Sequence, residues 1–287
     1  MSRRRELDGH RRKLDEIREI MNSMKTLAYM ETRKLARFID AQQAVVKSLE
    51  AVAADFLQHY PEVLFGRGQA MPVYLLLGSE RGFCGDFNER LLLDLDAGLG
   101  EDLQPRLLAM GHKLHSVLTA QERDVVALDG ASVAEEVEPV LGRLVDTLAE
   151  LQGRHGALDL YVLYHGGEEA GSLMQQLLPP FQSVTATQVT GHPPLLNETP
   201  ADFFAGLTDH YLFAALHAML YTSLLAENRR RVEHLEGAVH HLEEKAAQLL
   251  SQSNALRQEE IIEEIEVILL SADLVVGPQP RHHNANA

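Results

Sequence analysis

Each end of the chain carries a long stripe of mostly apolar residues, spaced alternately three and four positions apart. The N-terminal stripe consists of Leu7, His10, Leu14, Ile17, Met21, Met24, Ala28, Glu31, Leu35, Phe38, Gln42, Val45, Leu49, Val52 and Phe56. The C-terminal stripe consists of Leu225, Asn228, Val232, Leu235, Val239, Leu242, Ala246, Leu249, Ser253 and Leu256. A period of about 3.5 residues is typical of a coiled-coil seam. No proline interrupts either stripe, so each predicts one unbroken helix.

The two helices are most simply paired in an antiparallel coiled coil, with the residues between them forming a separate domain at one side. About fifty residues at ~1.5 Å each give a rod of roughly 75 Å. Two separate helices of an ordinary bundle are the alternative, but this length exceeds that of typical bundle helices. After Leu256 the spacing of the apolar residues changes, which indicates a stutter in the supercoil.

Residues 267–276 are apolar on nearly every face of the predicted helix. A helix of this kind has to be buried on every face. If it extends beyond its coiled-coil partner, it needs a surrounding sleeve from other proteins. Docking on the chain's own middle domain is the alternative. Gly277 and two prolines predict the helix end, and residues 277–287 are expected to form a disordered tail.

The middle of the sequence predicts a Rossmann-like α/β domain with mostly parallel strands. Short apolar runs indicate strands at residues 73–78, 106–111, 124–128 and 158–164. Amphipathic segments between them predict helices at residues 88–99, 112–120 and 133–151. This alternation favours a parallel sheet covered on both faces, and residues 183–190 suggest an additional edge strand. The predicted domains are residues 1–60, 61–200 and 201–276, followed by the tail.

Composition excludes several classes of protein. The single cysteine rules out an internal disulfide or a cysteine-rich metal site. No apolar run is long enough for a transmembrane helix or a secretory signal, so we expect a protein of a reducing compartment. The net charge of −16 argues against nucleic acid as a partner. The first 37 residues nevertheless hold eleven Lys and Arg against six Asp and Glu, which suggests an acidic partner or a solvated helix face.

The loop of residues 78–88 lies where α/β enzymes bind phosphate, but its sequence matches no phosphate-binding fingerprint. Glu80 and Asp86 would repel a phosphate. Cys84 has no histidine in the loop to act as its base, so we expect a small buried residue rather than a nucleophile. The fourteen histidines show no metal-ligand spacing. The sequence therefore predicts no catalytic group, no metal site and no cofactor.

Three segments resemble the gamma subunit of F-type ATP synthases. Residues 223–232 are similar to its Ser-x-x-(Ser/Ala)-Glu-x-x-x-Arg-(Met) element, and residues 254–265 to its Asn-x-x-Arg-Gln-x-x-Ile-Thr-x-Glu-(Leu/Ile) signature. Residues 79–88 resemble its Ser-Asp-Arg-Gly-Leu-Cys-Gly-x-x-Asn loop. The segments occur in family order and spacing, and the resemblance spans the chain from about Leu7 to Val276.

The N-terminal helix departs from the family pattern. The usual Thr-x-x-Ile-Thr-x-Ala-Met stretch falls on residues 20–27, where the seam is kept and the residue types are not. Lys34 and Leu35 correspond to the family's Lys-Met pair, and Ile262 replaces the usual Thr of the C-terminal signature. These departures suggest a divergent branch, such as the alternate sodium-type bacterial ATPases.

The resemblance implies a non-catalytic central stalk. The coiled coil would stand inside the hexamer of alpha and beta subunits, with its apolar C-terminal end in a bearing. The α/β domain would contact the epsilon subunit and the membrane ring of c subunits, on the cytoplasmic face of the bacterial inner membrane. Rotation of the shaft would couple ion flow to the catalytic cycle of the hexamer.

The resemblance also implies a set of partner contacts. Hydrogen bonds to beta-subunit loops are expected from Arg231, Arg257 and Gln258. Asn254, Ile262 and Glu264 are expected to lie beside them at the same contact. Leu27 lies where the family has the methionine that faces the beta C-terminal domain. For Arg231 the alternative is an ion pair with Glu227, and for Arg257 it is a contact with Ser253 or with solvent.

Two other functions are compatible with parts of the sequence. A free-standing coiled-coil adaptor would pair through its own seam and would not need the apolar helix end. An α/β nucleotide-binding enzyme with helical arms would need polar groups that converge at the strand ends, and the sequence shows none.

Overall fold

The computed structural model describes residues 3–64, 70–99, 105–166, 171–182 and 192–275, the last four by their backbone only. The helices are α1 (Arg3–His59), α2 (Phe87–Gly98), α3 (His112–Ala120), α4 (Val137–His155) and α5 (Pro200–Val275). The strands are β1 (Met71–Leu77), β2 (Arg106–Met110), β3 (Val125–Leu128), β4 (Leu158–His165) and β5 (Ser172–Gln176). Short 3₁₀ helices cover Pro61–Leu64 and Ala134–Glu136. The two long terminal helices, 57 and 76 residues, confirm the sequence prediction.

The contacts divide the chain into a central unit, Lys25–Leu235, and a terminal unit that combines Met1–Met24 with Glu236–Ala287. Both long helices therefore contribute to both units. This division differs from the boundaries inferred from the sequence, which fall near the helix ends. The tail predicted for residues 277–287 lies outside the described residues.

The sheet of the central unit has the strand order β3-β2-β1-β4-β5. The first four strands are parallel, as predicted, and β1 lies between β2 and β4 with Leu75 opposite both Leu108 and Val162. Strand β5 pairs antiparallel with β4 and was not predicted. Its residues neither alternate between apolar and polar nor form an apolar run, and they are only partly buried. The sequence therefore gives no signal for this strand. The edge strand predicted at residues 183–190 lies outside the described residues.

The two faces of the sheet carry separate apolar clusters. Leu75 and Val162 face the cluster that includes α4 and the long helices. Tyr74 and Leu76 face the cluster formed with α2 and α3. Since neighbouring side chains of a strand point to opposite faces, a continuous apolar run is buried on both sides.

In the central unit α1 and α5 run antiparallel. Phe38 stacks on Tyr221 at 5.8 Å between ring centroids, and Phe56 contacts Phe203 at 4.8 Å. The C-terminal stripe is buried or half-buried here as predicted, with Leu235 fully buried.

The N-terminal stripe was predicted with a partly wrong register. Its members Phe38, Val45 and Val52 are largely exposed, whereas their neighbours Ile39, Val46 and Ala53 face the core. The period of about 3.5 residues is kept, but α1 is rotated so that the face it buries is the one that packs on the α/β core as well as on α5.

The terminal unit contains a second stretch of antiparallel pairing. Ser253 Oγ donates a hydrogen bond to Asp8 Oδ1 at 3.0 Å, and Arg4 pairs with Glu260 at 3.3 Å. The described part of α1 begins at Arg3, so this pairing ends near Glu260. Helix α5 continues to Val275, about 22 Å further at ~1.5 Å per residue. Among the described residues, no helix is long and apolar enough to cross a membrane.

Candidate functional site

One face of α5 carries polar side chains that are buried. Ser223, Glu227 and Arg231 are four residues apart, a spacing that places them on one side of a helix, and Asn228 lies beside them. Glu227 is 2% exposed and Arg231 is 6% exposed. These side chains contact the end of β1 and the loop that follows it, residues 77–84.

Each of the three side chains has a partner in that segment. Ser223 Oγ donates to the Leu77 carbonyl oxygen at 3.1 Å. Arg231 Nε donates to the Gly82 carbonyl at 3.2 Å, and its Nη2 reaches Cys84 Sγ at 3.4 Å. The Glu227 carboxylate accepts hydrogen bonds from the backbone of residues 80 and 81. We refer to Ser223, Glu227 and Arg231 with these loop partners as the polar stripe.

Bonds within α5 complete the arrangement. Arg231 Nη2 forms an ion pair with Glu227, and Nη1 donates to Asn228 Oδ1 at 2.8 Å. Asn228 Nδ2 donates to the Leu224 carbonyl at 3.0 Å. The buried charges are therefore paired and hydrogen-bonded, which is the condition under which charges are tolerated in a protein interior.

The loop is itself held in shape by polar contacts. Ser79 N–H donates to Asn88 Oδ1 at 2.9 Å, and Asn88 Nδ2 donates back to Ser79 Oγ at 2.8 Å. Phe83 and Gly85 both have positive φ angles, 65° and 61°, a conformation that favours glycine. The loop that resembles the family motif is thus built to present its carbonyl and amide groups to α5.

Burial dominates the electrostatics of the stripe. Complete burial raises the pKa of Glu227 to about 7, although Arg231 opposes the shift. Burial and the nearby Glu227 carboxylate raise the pKa of Cys84 to about 12. The thiol is therefore protonated at neutral pH, and the expectation that Cys84 is a small buried residue is confirmed. Arg81, its neighbour in sequence, instead donates to Ser132 Oγ at 2.9 Å.

Arg231 requires a correction. The family resemblance suggested a hydrogen bond to a partner loop, with a pair to Glu227 as the alternative. The structure buries the guanidinium and engages it with Glu227, Asn228 and Gly82. In this structure Arg231 therefore forms the pair with Glu227 that the sequence analysis gave as the alternative.

The other six predicted contact residues are exposed. Leu27 is 67% exposed on α1, and Ile262 is 56% exposed on α5. The other four predicted contact residues lie on α5 near Ile262 and are also exposed: Asn254, Arg257, Gln258 and Glu264. Ser253, named as an alternative partner for Arg257, is buried and bonded to Asp8.

The end of α5 presents apolar side chains to solvent. The largely exposed residues are Ile261, Ile262, Ile265, Val267, Ile268, Leu269 and Leu270. Single exposed apolar residues are ordinary, but a contiguous group marks an interaction site. We call residues 261–270 the apolar end.

The strand ends of the sheet offer no open phosphate site among the described residues. Glu80 Oε2 accepts hydrogen bonds from the backbone N–H groups of His112 and Gly130, at 2.9 and 2.8 Å. His112 is the first residue of α3, and helix starts are where anions bind. The chain's own carboxylate therefore occupies the position that a phosphate would take.

A cleft of about 480 Å³ beside β4 contains charged groups, but they have partners in the chain. Arg90 pairs with Asp86 at 2.6 Å, and Arg230 pairs with Glu233 at 3.5 Å. His165 bonds through Nε2 to the Phe87 carbonyl at 2.8 Å, and burial lowers its pKa. In the described part of the chain, no three His, Cys, Asp or Glu side chains could hold a metal ion.

A family model and a known protein both show that this chain is similar to a subunit of ATP synthase. The family model described as ATP synthase matches residues 3–273. The ATP synthase gamma chain of Desulfitobacterium hafniense (strain DSM 10664 / DCB-2) is 22% identical over 277 residues, which covers 94% of this chain and 98% of the relative.

Solved structures share the fold at low sequence identity. A chain from the mitochondrial ATP synthase of Euglena gracilis, OSCP/F1/c-ring, is 14% identical with a TM-score of 0.63, covering 99% of both chains. A chain from the central stalk and c-ring of the Tetrahymena thermophila mitochondrial ATP synthase is 14% identical with a TM-score of 0.55. That match covers 76% of this chain and 99% of the other.

Proposed function

Because this chain belongs to the family of ATP synthase gamma subunits, we propose that it is the central rotor shaft of an F-type ATP synthase. It is a non-catalytic subunit. Its rotation couples ion flow through the membrane ring to the catalytic cycle of the alpha and beta subunits. The observation that best supports this role is the apolar end, which continues past the last described contact between α1 and α5 and is exposed.

The apolar end fits a bearing better than a fixed binding site. Its exposed side chains include residues on every side of the helix, such as Ile265, Val267, Ile268 and Leu269. A rotating shaft has to contact its surroundings about equally at all angles, because a strong preference for one angle would trap it. Apolar contact is non-directional, so residues 267–270, which are apolar on successive sides of the helix, would meet that requirement inside the alpha and beta hexamer.

Directional coupling needs a few stronger contacts. We assign these to Arg257 and Gln258, with Asn254, Ile262 and Glu264 beside them on α5 and Leu27 on α1. All six are exposed, so their side chains are accessible to beta-subunit loops. The planar guanidinium of arginine can donate two parallel hydrogen bonds to a carboxylate of an acidic loop. A hydrogen bond to a charged group contributes about 1.5–3 kcal/mol.

The α/β sheet domain would face the epsilon subunit and the ring of c subunits. The chain would reach the membrane only through these partners, on the cytoplasmic face of the bacterial inner membrane.

Co-expression with alpha and beta subunits tests the proposal. Native mass spectrometry of a complex purified through a tag on beta should give one copy of this chain per three alpha and three beta subunits. Truncation before Ser253 should abolish ATPase activity. A homodimer that does not bind the alpha and beta subunits would overturn the proposal and favour a coiled-coil adaptor.

The contact residues are tested in the same complex. Arg257→Ala should lower the coupled ATPase rate about tenfold, in line with the loss of one charged hydrogen bond. Lys245→Ala is the matched control, since Lys245 is also an exposed cation on α5. Equal effects of the two substitutions would remove Arg257 from the set of directional contacts.

A further inference from the structure

The polar stripe is an unusual way to attach a helix to a sheet. Around it, α5 packs on the core through apolar residues such as Leu216, Leu220 and Leu224. A buried ion pair is often no more stabilising than apolar residues of the same size, because the charges lose their hydration. Stability alone therefore does not explain a buried Glu227–Arg231 pair at this contact.

What the stripe supplies is a unique alignment. Apolar contacts accept several neighbouring arrangements of two surfaces, whereas a buried hydrogen-bonding group accepts only the arrangement that gives it a partner. A slip of α5 by one residue would move it by about 1.5 Å and rotate it by about 100°. Ser223, Glu227 and Arg231 would then all lose their partners on the loop at once.

Two polar contacts join α1 to the same domain, one exposed and one largely buried. Lys34 pairs with Glu135, whose side chain is mostly exposed. Glu31 accepts a hydrogen bond from the Ala134 N–H at 2.6 Å. Solvent screens an exposed pair and lets it exchange partners, so the Lys34 contact cannot define the alignment as strictly as the buried stripe does.

We propose that the polar stripe is a register lock, which makes α5 and the α/β sheet turn as one body. This rests on the proposed rotor function. Torque applied to the sheet domain reaches the rest of α5 only if the helix does not slip or roll against the sheet. Ser223, Glu227 and Arg231 are positioning residues in this role, because they act through the segment of residues 77–84 that they contact.

The lock is tested first in the isolated full chain. The variant Glu227→Leu with Arg231→Met removes both charges and keeps similar side-chain volumes. Spin labels on Glu89→Cys in α2 and Asp209→Cys in α5 report the distance between helix and domain, since both positions are exposed in the central unit. A control labelling reaction on the chain without these two substitutions shows whether the spin label also reacts with Cys84.

The parent should give one narrow distance distribution. The lock variant should give a broadened distribution or a second population, with its unfolding midpoint close to that of the parent. The matched control replaces the exposed pair, Arg230→Met with Glu233→Leu, and should keep the narrow distribution. A parent-like distribution in the lock variant would overturn the proposal. If the double variant does not fold, Ser223→Ala with Arg231→Met, which removes two of the side-chain donors to the loop, is measured in its place with the same criterion.

The second test uses the assembled complex. In a complete complex that includes the membrane ring and is reconstituted in vesicles, the lock variant should hydrolyse ATP but transport at least twofold fewer ions per ATP than the parent. An unchanged transport ratio would contradict the role in coupling. If the parent chain itself does not assemble with alpha and beta, the rotor function fails, whereas the distance measurement still decides whether the stripe fixes the register.

Discussion

Two stretches of α5 violate the usual rule of polar outside and apolar inside, and they do so in opposite directions. Residues 223–231 bury a serine, an asparagine and an ion pair, whereas residues 261–270 expose isoleucines, leucines and a valine. The buried polar groups have partners within the chain. The exposed apolar groups have no cover among the described residues, and a contiguous group of this kind marks an interaction site.

The comparison separates what the chain does alone from what it does in a complex. The polar stripe should control the stability and alignment of the isolated chain. The apolar end should leave the isolated chain nearly unaffected and matter only after assembly. Substitutions in the two stretches therefore have to give opposite patterns, and three predictions examine this difference.

The largest effect on stability is expected for Arg231→Leu. The substitution removes the cation that lowers the Glu227 pKa, so the carboxyl becomes protonated. The bonds of the guanidinium to Gly82 and Asn228 are also lost, and we expect a cost of about 3 kcal/mol. Denaturant unfolding of the full chain, followed by circular dichroism, measures the loss. Arg230→Leu is the control, because its pair with Glu233 is largely exposed and should contribute less than about 1 kcal/mol. Equal losses would show that the buried pair has no special role.

Much of the fold could be predicted because apolar periodicity is a strong signal. The two long helices and the four parallel strands follow from it directly. Strand β5 could not be predicted, since Gln175 and Gln176 give it no apolar run and only its pairing with β4 defines it. The register of α1 was wrong at Phe38, Val45 and Val52, because packing on the α/β core turns the buried face toward the next residue in each case.

The sites differ in how much the sequence reveals. The spacing of Glu227 and Arg231 indicates an ion pair on one helix. It does not indicate burial, because the loop carbonyl of Gly82 that completes the site is backbone and leaves no trace in residue types. Residues 267–270 of the apolar end, by contrast, belong to the stretch 267–276 that the sequence predicts to be apolar on nearly every face, and such a pattern is recognised without knowledge of its surroundings.

The second prediction concerns how the unfolding free energy depends on pH. Glu227 has a folded-state pKa of about 7 against 4.5 for an unperturbed carboxyl. Between these values the folded chain holds a proton that the unfolded chain has released, so stability falls as pH rises from about 4.5 to 7. The difference of about 2.5 between the two pKa values, at about 1.4 kcal/mol per pKa unit, gives a contribution of about 3.5 kcal/mol for this fully buried group. The groups that face the carboxyl are Arg231, the Cys84 thiol and the backbone of residues 80 and 81.

The measurement is the difference between parent and Glu227→Gln in unfolding free energy across pH 5 to 8. Burial lowers the pKa of His165 and His217, and these groups add stability as pH rises. Their contribution is common to both proteins and cancels in the difference. A difference that stays flat with pH would mean that Glu227 is ionised throughout and that Arg231 outweighs the cost of burial.

The smallest effect on stability is expected at the apolar end. Replacing Ile262, Ile265 and Ile268 by serine removes apolar surface that is already largely exposed, so the unfolding free energy of the isolated chain should change by no more than about 0.5 kcal/mol per site. Assembly should respond in the opposite way, because the same side chains would be buried against alpha and beta. The ATPase activity of the purified complex and its subunit count measure this. Serine substitutions that destabilise the isolated chain strongly would show that the apolar end has a partner within the chain, and the contrast between the two stretches of α5 would no longer hold.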